Sequence, residues 1–235
     1  MSDTTYILVH GAWSAAWVWR DVGAELTRRE VKWSALDLPS STHGAHPNTY
    51  LADDAREVIE VAKLDGPVVL VGHSYGGAVI TEAAEQIPNL EAMIYVAALI
   101  PELGHSTTGV SRMVDAPTML DAAIESDGDM LRLKPTLAKE ALFQDCSDEV
   151  ADWAVSQLTP QTTASLRSPR SAFDVDVPTY YMRCTLDQAV DPGLQELLAS
   201  HCDEVAVLES GHTPMLSQPE YFCDLLLMTM SLEEE

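Results

Sequence analysis

The chain has 235 residues, 46% of them hydrophobic and 21% charged, which suits one globular domain with room for an insertion. Its 37 acidic residues face 13 basic ones, for a net charge of -24. Such a field excludes nucleic acid and anionic membrane surfaces as partners and disfavours polyanionic substrates.

No apolar run is long enough to span a membrane. The opening MSDTTYILVHG lacks the basic-then-apolar pattern of a secretion signal. The expectation is a cytoplasmic protein with reduced cysteines (Cys146, Cys184, Cys202, Cys223), whose spacing holds no metal pattern.

In chain order, the first apolar run is YILV (6–9), followed by HGAWSAAWVW and a helical segment over 16–29 that ends in basic residues suited to a helix C-terminus. WSALDL (33–38) is the second run. Residues 49–64 then carry Leu51, Ala55, Val58, Ile59 and Ala62 at helical spacing. VVLV (68–71) leads into a helix over 75–87, and MIYVAAL (93–99) follows. TYYMRC (179–184), a helix from Asp191-Pro192 to 201, VAVL (205–208) and a helix over 218–231 close the chain. Short runs without alternation fit strands buried on both faces of a parallel sheet. Strands alternating with helices imply an α/β fold with a mostly parallel central sheet of about six strands flanked by helices.

Between Pro101 and about Asp176 no strand is evident, and helical patches fall near 116–126 and 137–157. The predicted organisation is a core of residues 1–100 and 177–235 with a helical cap, 101–176, inserted in it. Met113, Met119, Leu131, Leu133, Phe143, Trp153 and Leu158 are the cap's candidates for lining a pocket, most of them packing the cap on itself.

The stretch VVLVGHSYGGAVI holds Gly72-His73-Ser74-Tyr75-Gly76 between a buried strand and a helix. That is the strand–turn–helix setting of a nucleophile elbow, which lifts the Ser74 hydroxyl above the sheet's carboxyl end. A serine needs a base, and the base an orienting acid. Of seven histidines, His212 in VAVLESGHTPM is the late one on a loop at the right end of the sheet. Asp187, just past TYYMRC, is the favoured acid. Asp191, placed as a helix cap, and Glu102, after the fourth strand, remain alternatives.

HGAWSAAWVW, ALDLPSS, VGHSYGGAV, YYMRCTLDQAVDP and ESGHTPMLSQP together resemble the α/β-hydrolase superfamily. The likeness is strongest to its branch of small serine esterases, plant methyl esterases and hydroxynitrile lyases, and spans nearly the whole chain. It implies that Asp187 is the acid, and that the Ala12 and Tyr75 amides form an oxyanion hole. Gly11 lets the backbone turn closely there. The lyases carry a threonine at the place of Gly11 and a lysine at that of Thr213, and both departures favour hydrolysis.

The expected function is thus a serine carboxylic-ester hydrolase acting on small, hydrophobic esters or lactones, without metal or organic cofactor. The alternatives are lyase chemistry on the same triad, or a ligand receptor with little turnover. Monomer and homodimer both remain open. Gly11, Trp13, Met113, Met119, Phe143, Trp153 and Thr213 are the candidate pocket residues. Trp17 and Trp19 are expected to pack the core, whereas Trp13, next to the oxyanion donor, is a candidate to narrow the pocket.

Overall fold

The computed structural model describes residues 3–231. Its first half alternates β1 (Thr5–Val9), α1 (Arg20–Arg28), β2 (Lys32–Leu36), α2 (Leu51–Val61), β3 (Val68–His73), α3 (Tyr75–Ala83) and β4 (Leu90–Val96). An intervening segment carries α4 (Thr107–Val110), α5 (Met119–Ala123), β5 (Ile124–Asp127), β6 (Met130–Leu133), α6 (Pro135–Leu142), α7 (Asp148–Gln157), β7 (Gln161–Thr162) and α8 (Thr163–Arg167). The alternation resumes with β8 (Thr179–Cys184), α9 (Pro192–Ala199), β9 (Glu204–Leu208), α10 (Pro214–Ser217) and α11 (Pro219–Ser231). The six predicted strands pair in parallel in the order β2-β1-β3-β4-β8-β9.

The uninterrupted apolar runs have a simple cause. Successive side chains of a strand face opposite ways, and both faces are covered. Ile7, Val9, Val68 and Leu70 pack with Leu51, Ala55 and Val58 of α2, Ala78 and Val79 of α3, and Leu194 and Leu198 of α9. Tyr6, Leu8, Val69 and Val71 pack with Val22 and Leu26 of α1 and Phe222 and Leu226 of α11. Burying one such side chain contributes about 1.5–3 kcal/mol.

Two expectations need correction. Residues Ala16–Trp19 form a tight 3-10 turn, and α1 begins only at Arg20. The intervening segment is not purely helical, because β5, β6 and β7 form a small antiparallel sheet. Asp127 pairs with Met130 across a two-residue turn in which Gly128 has φ +64°. A two-residue loop with glycine first, here Gly128-Asp129, is a hairpin signal. It was easy to pass over because these strands are short and largely exposed, so no apolar alternation marks them.

β1 and β3 are neighbours, and the strand order departs from them in opposite directions. Ligand crevices open at such a switch point, outside the strands' carboxyl ends. The loops after β1 and β3, HGAW and Ser74, therefore meet there.

Candidate active site

Ser74 joins β3 to α3 with φ 53° and ψ -120°, a conformation that costs about 1–3 kcal/mol unless its surroundings enforce it. Here they do. The Ser74 amide donates to Val96 O at 3.1 Å, and its carbonyl accepts the amides of Gly77 and Leu99 at 3.1 and 3.0 Å. The elbow is packed against the first loop. A methyl carbon at Gly76 would fall 2.6 Å from Val9 O, and one at Gly11 would fall 2.9 Å from Ser74 Cβ. Both positions require glycine for close approach.

His212 stands on the loop after β9, its side chain 2% exposed, and its Nδ1 meets Asp187 Oδ2 at 2.7 Å. An ionised carboxylate only accepts, so Nδ1 carries the proton and Nε2 keeps its lone pair. Asp187 is held in turn by the amides of Ala189 and Val190 at 2.7 and 2.9 Å and by Gln195 Nε2 at 2.8 Å. The rival acids are placed elsewhere. Asp191 caps α9 through the amides of Gly193 and Leu194. Glu102 is 77% exposed, beside His105.

Two neighbouring histidines hold loops. His10 Nε2 accepts the Leu38 amide at 2.9 Å, so its Nδ1 donates to Gly11 O at 2.7 Å. Burial pushes the His10 ring down to about 4. His73 Nε2 donates to His212 O at 2.8 Å, and burial holds that ring neutral, well below its ordinary value.

Ser74 and His212 face a cleft of about 20 Å³ shared with Gly11, Trp13, Phe143 and Thr213. A second cavity of about 270 Å³ also borders Ser74, lined by Ala12, Trp13 and Tyr75 and by apolar residues including Leu99, Leu131 and Leu166. Within the described residues the Ala12 and Tyr75 amides have no hydrogen-bond acceptor.

Trp13 is 5% exposed and lines both spaces. It adopts φ +59°, its indole Nε1 donates to Leu131 O at 3.2 Å, its amide to Gln161 Oε1 at 3.3 Å, and its carbonyl accepts the Thr159 amide at 2.9 Å. Thr213 Oγ1 donates to Leu142 O at 2.7 Å.

Three predicted pocket residues are not at this site. Met113 is 56% exposed and borders a separate cavity of about 550 Å³ that contains none of Ser74, His212 or Asp187. Met119 packs against the core on the α1 side of the sheet. Trp153 lies edge-on to Trp17 at 5.2 Å, under the Arg20 guanidinium at 3.6 Å. Trp19 is fully buried, as expected, whereas Trp17 is only half-buried.

Three positioning residues went unnoticed in the sequence: Asp54, Gln161 and Gln195. Asp54, buried in α2, accepts Tyr75 Oη at 2.6 Å and the hydroxyl and amide of Ser40 at 2.5 and 2.9 Å. Burial raises its carboxyl to about 6. Gln161 Nε2 donates to the same Ser40 hydroxyl at 2.8 Å, which links Asp54 to the Trp13 amide. A signal existed for two of them. Asp54 shares a helical stripe with Leu51, Ala55 and Val58, and Gln195 one with Leu194 and Leu198, so each polar group sits on a buried face.

The alpha/beta hydrolase family model matches residues 6–225. A carbendazim hydrolyzing esterase of Nocardioides is 31% identical, covering 70% of this chain and 72% of its own. Polyneuridine aldehyde esterase of Rauvolfia serpentina is 27% identical over 94% of each. The crystal structure of a pyrethroid hydrolase from Sphingobium faniae superposes with a TM-score of 0.84 at 22% identity, covering 95% of this chain and 96% of that one, a likeness of fold. The chain belongs to the alpha/beta hydrolase family.

Proposed function

We propose that this protein is a serine carboxylic-ester hydrolase working through an acyl-enzyme on Ser74. The carrying observation is the line from Asp187 to His212 Nδ1 at 2.7 Å, with His212 and the strained Ser74 facing one cleft. His212 Nε2 takes the Ser74 proton as Oγ attacks the ester carbonyl carbon. Asp187 orients the ring and stabilises its charged form. The Ala12 and Tyr75 amides receive the oxyanion, each such donor contributing typically ~3 kcal/mol to the transition state. The C–O bond breaks and the alcohol leaves with the proton from His212. Water, deprotonated by His212, then attacks the acyl carbon, and Ser74 recovers its hydrogen.

The two spaces divide the substrate. The leaving oxygen must lie beside His212, and of the two spaces at Ser74 His212 lines the 20 Å³ cleft and not the larger one, room for a one- or two-carbon alcohol. The acyl group takes the 270 Å³ cavity, which the segment 101–176 covers as a cap through Thr107, Leu120, Leu131 and Leu166. Lyase chemistry has less support, since Thr213 carries no cation and its hydroxyl is bound to Leu142 O.

The test is turnover of a chromogenic short-chain ester by the wild type and by Ser74→Ala. Turnover confined to the wild type is expected, and equal turnover by both refutes the reading.

A further inference from the structure

The chain's few cations are nearly all matched to carboxylates. Seven of its nine arginines, Arg20, Arg28, Arg29, Arg56, Arg132, Arg170 and Arg183, make ion pairs. Among the described residues Arg112 and Arg167 make none, in a protein with almost three acids to every base. Both line the 270 Å³ cavity beside Ser74, where their exposure puts them at its solvent end. Thr108 Oγ1 donates to Leu166 O at 3.0 Å, which joins the two segments that carry them.

Neither of the cavity's own acids, Asp121 and Asp191, makes an ion pair with these arginines. Asp121 is engaged in the capping box of α5 with Thr118. Asp191 is engaged by the amides that open α9. In the same wall Thr107 Oγ1 and Thr163 Oγ1 are buried without partners, and Thr107 is 3% exposed. Buried polar groups are nearly always satisfied. Two orphan hydroxyls and two unpaired guanidiniums share this cavity with Leu99, Leu120, Leu131 and Leu166, a lining that suits a ligand with an apolar body and an anionic end.

We propose that the acyl part of the substrate ends in a carboxylate held by Arg112 and Arg167, so that the substrate is a half-ester of a dicarboxylic acid with a small alcohol. This rests on the hydrolase reading for its chemistry. Half-ester and water give the dicarboxylate, the alcohol and one proton, and nothing else is consumed. The overall charge of -24 does not forbid an anion here. At physiological salt charges farther than about 8 Å are largely screened, so the groups lining the cavity weigh more than the distant surface.

The experiment measures binding, without turnover, to Ser74→Ala protein. The probes are the monomethyl esters of straight-chain C4 to C8 dicarboxylic acids, each against the uncharged methyl ester of the same acyl length. At least one half-ester is expected to bind tenfold or more tightly than its neutral match, and Arg112→Gln with Arg167→Gln is expected to bring that ratio close to one. The arginine substitutions should leave the affinity for the neutral esters unchanged, which a general loss of folding would not. A ratio near one throughout the series, or a ratio unchanged by the arginine substitutions, overturns the proposal. If the ratio holds but the protein with Ser74 intact hydrolyses no member, the hydrolase reading falls while the anion site stands.

Discussion

Tyr75 donates its phenolic hydroxyl to Asp54 at 2.6 Å, so a carboxylate buried in α2 anchors the residue whose amide stands beside the nucleophile. Tyr75→Phe keeps that amide and removes only the anchor. It leaves Asp54 with one donor fewer, which costs about 1–3 kcal/mol of stability. Loss of the anchor should lower kcat for ester hydrolysis several-fold and change KM less, because the oxyanion forms only in the transition state. Denaturant unfolding and steady-state kinetics check both parts. An unchanged kcat would assign the pair to structure alone.

Asp54 makes stability depend on pH. Its carboxyl is raised from 3.8 to about 6, chiefly by burial. A raised folded-state value gives a contribution that is complete below pH 3.8 and lost as pH rises through about 6. Asp54→Asn removes this loss. Between about pH 4.5 and 7.5 the stability of the variant relative to wild type should therefore rise by roughly 2 kcal/mol. Urea titrations at the two pH values decide it, and a constant difference means that Asp54 is ionised throughout.

His10 has the opposite sign. Burial lowers its ring from 6.5 to about 4, so its contribution to stability is complete above pH 6.5 and lost as pH falls through about 4. Nitrogen-15 shifts at pH 5.5 should show a neutral ring protonated at Nδ1, as the Leu38 and Gly11 contacts require. A charged ring at that pH contradicts the assignment.

Gly11→Ala places a carbon 2.9 Å from Ser74 Cβ and 3.2 Å from His73 Nδ1. Neither neighbour is a flexible chain end, so the elbow must move. A displacement of the reacting group by even part of an ångström lowers kcat/KM by up to about 100-fold. The expected result is a 10- to 100-fold loss with an unchanged far-ultraviolet circular dichroism spectrum. Full activity would mean that the first loop yields freely.

Trp13→Ala merges the two spaces at Ser74 and removes the indole bond to Leu131 O. Bulkier alcohols should then be accepted, and stability should fall by about 3–5 kcal/mol as for other buried Trp truncations. A series of acetate esters of lengthening alcohols reads out the first effect. An unaltered profile would leave Trp13 a packing residue.

Much of the fold was legible because the physics is local. Runs such as VVLV and TYYMRC, alternating with helical segments, fit a covered parallel sheet, and the glycines around Ser74 mark backbone crowding that the structure bears out. The β5–β6 hairpin was not legible, because half-exposed strands do not need to alternate. Met113, Met119 and Trp153 were misplaced for a related reason. An apolar residue in an inserted segment buries itself wherever it can, and hydrophobicity does not say against which wall.

The sequence by itself determined the alternation of strands and helices, the elbow at Ser74, and the short list from which His212 and Asp187 come. Only the tertiary structure decided which acid meets His212, which polar residues brace the loops, and that Arg112 and Arg167 stand unpaired at one cavity. Backbone preferences and burial act over a few residues and leave a pattern in the chain. Hydrogen bonds and ion pairs such as Asp54 to Tyr75 join residues 21 positions apart, and His212 to Asp187 residues 25 apart, so they exist only once the sheet has fixed where each loop ends.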